Sequence, residues 1–221
     1  YYPVMEGLDF LFTRETRVIW QPILDEMKKL DYKVSRKKSW GKNDLHRITK
    51  KYYEGLLLKP ELVPVPLWGK SLYNTLKGNA KWRRIRKQVL EAALGKCQIC
   101  QSHYEKGMLC HEKWNYDETN FTATLTGFEL VCPDCNFVLH YGRSGQIIVG
   151  TSMSNPEKAV ELYIRRDIHM ERINQLSRAQ CQRVLFHANQ EHGRRSKKKW
   201  KIKISPELRK QFPEIKGIRI M

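Results

Sequence analysis

Acidic residues are scarce in this 221-residue chain: 23 Asp and Glu stand against 41 Lys and Arg, for a formal charge of +18. A field of that sign concentrates polyanions and speeds their capture. Nucleic acid is the commonest such partner, and an anionic membrane surface is the competing one. No run of 18 or more apolar residues occurs, so no bilayer-spanning helix is expected. The first residues, Tyr1-Tyr2-Pro3-Val4-Met5-Glu6, lack the basic-then-apolar layout of a secretory signal. They also lack an initiating methionine, as expected of a chain trimmed or cut from something longer. No internal repeat is present, which excludes solenoids and propellers. Cysteine is limited to six residues, four of them in two Cys-x-x-Cys pairs. Six cysteines could build three disulfides in a secreted protein, but this spacing in a strongly basic chain favours zinc in a reducing compartment.

An apolar fraction of 41% with 10% aromatics excludes global disorder. The pattern along the chain is α+β. Residues 16–32 set Val18, Ile19, Ile23, Leu24, Met27 and Leu30 near helical spacing, with Pro22 kinking or starting the helix. A basic, turn-prone stretch containing Arg36, Lys37 and Lys38 follows, then a second helix over 44–58. The Lys59-Pro60 step and the Val63-Pro64-Val65-Pro66 run enforce extended backbone and mark a boundary. This gives a mainly helical section at 1–62, a central domain at 63–210 and a tail at 211–221. Within the central domain, 81–90 reads as a helix with Trp82, Ile85 and Val89 inward, closed by Gly95. Strands follow at 107–116 and 121–131, with Gly127 as a bulge. A helix or tight turn is expected at 137–140. Helices return after Asn155-Pro156 and over 177–192.

The cysteine pairs carry the clearest chemistry. Cys97/Cys100 and Cys132/Cys135 each offer two sulfurs from one turn, and 31 residues lie between the pairs, room for a two-stranded excursion. Four thiolates are what a closed structural zinc site needs, so all four would serve folding. His111 and Glu112 lie inside the excursion, while Asn136 and His140 follow the last cysteine. An imidazole titrates near neutrality and can act as a base, and amide and imidazole groups can approach a divalent cation.

Two knuckles around a central His, followed by the run Cys132-Pro133-Asp134-Cys135-Asn136-x3-His140, resemble the HNH endonucleases with the ββα-metal fold. Further segments are similar to a phage and bacterial subgroup of those nucleases: Pro66-Leu67-Trp68-Gly69-Lys70-Ser71-Leu72, Lys81-Trp82-x2-Ile85-Arg86, His111-Glu112-Lys113-Trp114-Asn115-Tyr116-Asp117 and Arg194-Arg195-Ser196-x3-Trp200. The likeness covers about residues 63–210, whereas residues 1–60 resemble nothing we can name. It implies a small zinc-stapled ββα-metal core over about 94–150, wrapped by helices, with a helical tail at 155–200. It implies cytoplasmic DNA hydrolysis in a bacterial or phage-infected cell. His111 would be the general base, with Asn136 and His140 as catalytic residues. Glu112, Asn136 and His140 would be candidates for a catalytic Mg2+ or Mn2+, beside the structural Zn2+ on Cys97, Cys100, Cys132 and Cys135. Two positions depart from the family pattern. Cys110 stands where many members carry the acid before the base, and a thiol suits hard magnesium poorly. Gly127 falls near the family's middle Asn.

Basic stretches flank the hairpin. Arg83, Arg84, Arg86 and Lys87 on one side, and Arg194, Arg195, Lys197, Lys198 and Lys199 on the other, are expected to contact phosphates without reading sequence. Two alternatives belong beside the nuclease expectation. One is the same scaffold holding DNA without cutting. The other is an HNH domain working with the subunits of an RNA-guided CRISPR complex, which would suit an unmatched first section.

Overall fold

The computed structural model describes residues 53–61, 63–104 and 106–220. The helix expected at 16–32, most of that at 44–58 and the basic Arg36-Lys37-Lys38 lie outside them. The described chain is mixed α and β, with a three-stranded sheet. Its contacts divide it into a helical unit, residues 53–60 with 140–188, and a sheet unit, residues 61–139 with 189–220. This differs from the sequence-based division: residues 140–188 leave the 63–210 block and join the residues before 61.

In the sheet unit, α1 (Leu72–Leu76) and α2 (Ala80–Ala92) precede the hairpin of β1 (Leu109–Asp117) and β2 (Thr122–Val131). The short α3 (Pro133–Leu139) follows at once. It starts four residues earlier than expected, because Pro133 sits at a first helical position where its missing N–H costs nothing. Asn79 caps α2 by accepting from the Lys81 N–H at 2.9 Å, and Trp82, Ile85 and Val89 are buried along one side. Full burial of each is worth about 1.5–3 kcal/mol. Leu94 and Gly95 then turn left-handed, φ 52° and 69°, and the Gly95 N–H closes onto the Leu90 carbonyl at 3.2 Å. Glycine suits the second of these positions: a Cβ there would meet the His103 ring at 3.4 Å as well as adopt an unfavourable φ.

The hairpin register pairs Lys113 with Gly127 and Trp114 with Leu125. The extra residue of the bulge is therefore Thr126, next to the glycine expected to form it. Strand alternation sends Trp114, Phe128 and Leu125 to one face and His111, Lys113 and Glu129 to the other. Phe128 meets Trp82 and Phe212 edge-on, with ring centroids 5.9 and 5.1 Å apart. The basic tail departs from expectation. Its Lys201–Ile204 stretch is β3, parallel to β2, and Ser205 opens α7 (Pro206–Gln211). Lys-Ile-Lys-Ile alternates in polarity, and the buried Ile204 anchors the strand, so a partly apolar β-edge outweighs the charge run.

The helical unit holds α4 (Tyr141–Ser152), α5 (Pro156–Asn174) and the first part of α6 (Arg178–Ser196). Asn155 caps α5 and Pro156 opens it, as the sequence indicates. Asn174 ties residues 53–60 to this unit: it accepts from the Leu58 N–H at 2.9 Å and donates to the Leu58 carbonyl at 2.6 Å. The buried Arg166 makes three hydrogen bonds. It donates to Asp167 at 3.1 Å, to the Ser144 hydroxyl at 3.2 Å and to the Tyr141 hydroxyl at 3.1 Å. Asp167 in turn accepts from Gln182 at 3.4 Å and faces Arg178 at 3.7 Å. Removing one member of such a buried set strands the others. Arg166→Ala should therefore cost about 3–5 kcal/mol in chemical denaturation. A loss below about 1 kcal/mol, the level of a surface ion pair, would contradict this account of the unit.

Candidate metal centre and the buried histidine

The two cysteine turns meet at the base of the hairpin. In the first, the Cys97 N–H donates to the Ser102 carbonyl at 3.0 Å, and the Gln101 N–H returns to the Cys97 carbonyl at 2.9 Å. Gln98 fastens this turn to the end of β2. Its N–H donates to the Leu130 carbonyl and its side-chain oxygen accepts from the Leu130 N–H, both at 2.8 Å. The second turn begins where β2 ends, and the Cys135 N–H points at the Cys132 Sγ, 3.4 Å away.

The four Sγ atoms all lie within 4.8 Å of one another, with Cys100 and Cys132 3.7 Å apart. A tetrahedron with Zn–S bonds near 2.3 Å has sulfurs about 3.8 Å apart, so the donor set and its spacing fit a structural zinc. The thiols also conflict without a cation. Bonds from Cys132 and Cys135, outweighing burial, push the Cys97 thiol far below its ordinary value. Cys135 favours the Cys132 thiolate, yet Cys97 and burial outweigh it and hold that thiol up near 11. Contacts with Cys132 and Cys97, with burial, drive Cys135 upward as well. One buried thiolate thus opposes the next, and a bound divalent cation is what allows all four to ionise together.

His111 lies on β1, two residues beyond its start, and is only 3% exposed. Its Nδ1 is 3.6 Å from a carboxylate oxygen of Glu129, its register partner on β2. Its Nε2 is 3.8 Å from a carboxylate oxygen of Glu61. Burial disfavours the charged ring, but Glu129, Glu61 and Glu112 together outweigh it and raise the imidazole pKa above its ordinary value. The sequence reading missed both flanking acids. Glu129 becomes visible once the hairpin is drawn in register. Glu61 carries no local signal, being 50 residues away in a segment whose N–H donates to the Leu139 carbonyl of α3.

Glu112, expected as a candidate for the catalytic cation, is engaged elsewhere. Being the next residue on the strand, it points to the opposite face from His111. There it accepts from the N–H groups of Leu72 and Tyr73 at 3.3 and 2.6 Å, closing the first turn of α1. Cys110 shares that face, and burial, reinforced by Glu112, lifts its thiol to about 12. It is a neutral packing residue. Asn136 is half-buried in α3, within the sheet unit. His140 precedes α4 and belongs to the helical unit. Among the described residues, the four cysteines are the only group of three or more His, Cys, Asp or Glu side chains close enough to share an ion.

The basic residues separate into two kinds. Arg83, Arg84, Arg86 and Lys87 are exposed on α2. Arg86 nevertheless donates to the Met108 carbonyl at 3.1 Å, just before β1, and Arg84 faces Glu214 at 3.8 Å. Arg194 and Arg195 converge on Glu118 at the hairpin turn, the Arg195 contact being 2.6 Å. Lys197, Lys198 and Lys199 are exposed, with Lys198 over the Phe121 ring. Trp200 stands edge-on to Tyr116 and Phe121 and so docks the basic tail on the hairpin. No helix among the described residues is long and apolar enough to cross a membrane. No family model, curated protein or solved structure matches the chain.

Proposed function

We propose that the sheet unit is a metal-dependent endonuclease of the HNH type that hydrolyses DNA phosphodiester bonds, with His111 as general base. The observation that carries this reading is the strand–strand–helix order with four cysteines gathered at its base and the buried His111 imidazole beside a carboxylate across the hairpin. Glu129, 3.6 Å from Nδ1, stabilises the protonated ring from that side, which leaves Nε2 to take a proton from water. Glu61 stands where that water has to come. A phosphate arriving beside it repels its carboxylate, which lies at the solvent boundary. Magnesium or manganese, when bound with the phosphate, would neutralise charge developing on the leaving oxygen. Such a cation takes one or two protein oxygens and completes its shell from water and phosphate. Asn136 is the amide we assign to it. Divalent-ion-dependent nicking of supercoiled plasmid by the purified, zinc-loaded protein tests the proposal.

The pH profile follows from the ring's surroundings. A raised His111 pKa means that nicking climbs with pH through a value above the 6.5 of free imidazole. Glu129→Gln removes the strongest favourable contact, so the rising limb should move to lower pH. Initial rates measured across that range check this, and an unmoved limb would exclude Glu129 as the partner. The stability term has the opposite sense. It is fully present below 6.5 and is lost as pH rises through the folded-state pKa.

A second reading, a scaffold that holds DNA without cutting, draws on the 3% exposure of His111. It would be favoured if zinc-replete protein bound plasmid and left it intact in both magnesium and manganese.

A further inference from the structure

The face of the sheet that carries His111 continues beyond it as a polar surface, exposed at Lys113, Asn115, Lys201 and Lys203 and buried at Thr122. Along β1 the same face presents Lys113, Asn115 and Asp117, because alternate residues share a side. The register sets Thr124 and Thr122 of β2 opposite Asn115 and Asp117, then Lys203 and Lys201 of β3 opposite those threonines. Lys113, Lys201 and Lys203 are all exposed. The other side of the same strands carries Trp114, Tyr116, Ala123, Leu125, Ile202 and Ile204, which supply the apolar packing. Two acids share the polar face. Glu129 faces His111 and also Lys113, at 3.8 Å, and Asp117 accepts from Asn120 and from the Thr119 N–H at the turn. Nothing apolar is exposed between His111 and the turn on these strands, so the surface lacks the side chains that enter a lipid interface.

We propose that this face is a duplex-DNA track, on which one phosphate backbone runs from His111 toward the hairpin turn, held by Lys113, Lys201 and Lys203. Lys201 and Lys203 are about 6.6 Å apart along β3 by strand rise, and β3 lies about 10 Å across the sheet from β1. The lysines thus border a floor of Asn115 and Thr124, whose side chains donate to phosphate oxygens. The proposal deepens the nuclease reading and rests on it for the choice of DNA. It also changes the expected contact set. Arg194 and Arg195 are engaged with Glu118, and the exposed lysines of β3 supply the charge instead.

Binding of a short fluorescent duplex, followed by anisotropy as salt is varied and without added divalent ion, separates this claim from cleavage. Each lost phosphate contact lowers the slope of log K against log salt by about 0.9. Lys201→Gln/Lys203→Gln should reduce the slope by about 1.8, and adding Lys113→Gln by about 2.7 in all. Lys158→Gln in the helical unit should leave it unchanged, with zinc content and melting matched throughout. An unchanged slope in the triple variant overturns the track. So does tighter competition by phosphatidylserine vesicles or by RNA than by the duplex. Slope loss without plasmid cleavage by the wild type would sink the nuclease reading while keeping this surface. Cleavage without slope loss would do the reverse.

Discussion

Stripping the metal from Cys97, Cys100, Cys132 and Cys135 should unfold the sheet unit. Three of the four sulfurs belong to residues with no exposed surface, so their charges are affordable only around a cation. The cluster is also where two chain segments are joined: the turn after α2 and the junction of β2 with α3. Structural zinc contributes apparent binding free energies of about 10–16 kcal/mol in small domains. That equals or exceeds the whole stability of a typical domain, about 5–15 kcal/mol. Chelation, or Cys132→Ser, should therefore abolish the cooperative melting of this unit rather than shift it. Elemental analysis should give one zinc per chain before treatment and none after. Cys181, buried in the helical unit outside the cluster, is the internal comparison: Cys181→Ser should leave zinc content intact. A metal-free protein that keeps its melting transition would show that the cluster is not the staple.

Those four cysteines were legible because ligand spacing is a local property, two residues apart in each turn. The hairpin was legible for the same reason, since period-two polarity in 107–116 and 121–131 matches the observed strands closely. What escaped was decided by contacts distant in sequence. β3 was hidden because seven basic residues in 194–203 mask a short alternating segment whose partner lies some 80 residues earlier. That Glu112 accepts from two N–H donors of α1, 40 residues upstream, could not be read locally. Glu61 could not be placed beside His111 from any pattern. The grouping of 140–188 with 53–60 turns on Asn174, and the joining of α4 to α5 on Arg166, polar residues that sequence reading assigns by default to the surface.

His111→Ala should lower plasmid nicking by about 10²–10⁴-fold, the range that a positioned acid or base contributes. The argument is geometric. The ring is held between Glu129 and Glu61 inside the sheet unit, so truncation removes the one imidazole oriented on that face of the hairpin and leaves both carboxylates in place. Binding should persist, because the proposed track draws its phosphate affinity from lysines and not from a buried ring. His111→Gln, closer in size to imidazole and with hydrogen-bonding capacity, controls for a packing defect and should be as inactive as the alanine variant while melting nearer to wild type. The measurement is the single-turnover nicking rate of supercoiled plasmid in magnesium, for wild type and both variants, at equal zinc content and equal DNA occupancy. The account predicts a wild-type rate that both substitutions reduce at least a hundredfold. A wild type that binds but never nicks, or variants that nick at the wild-type rate, would contradict it.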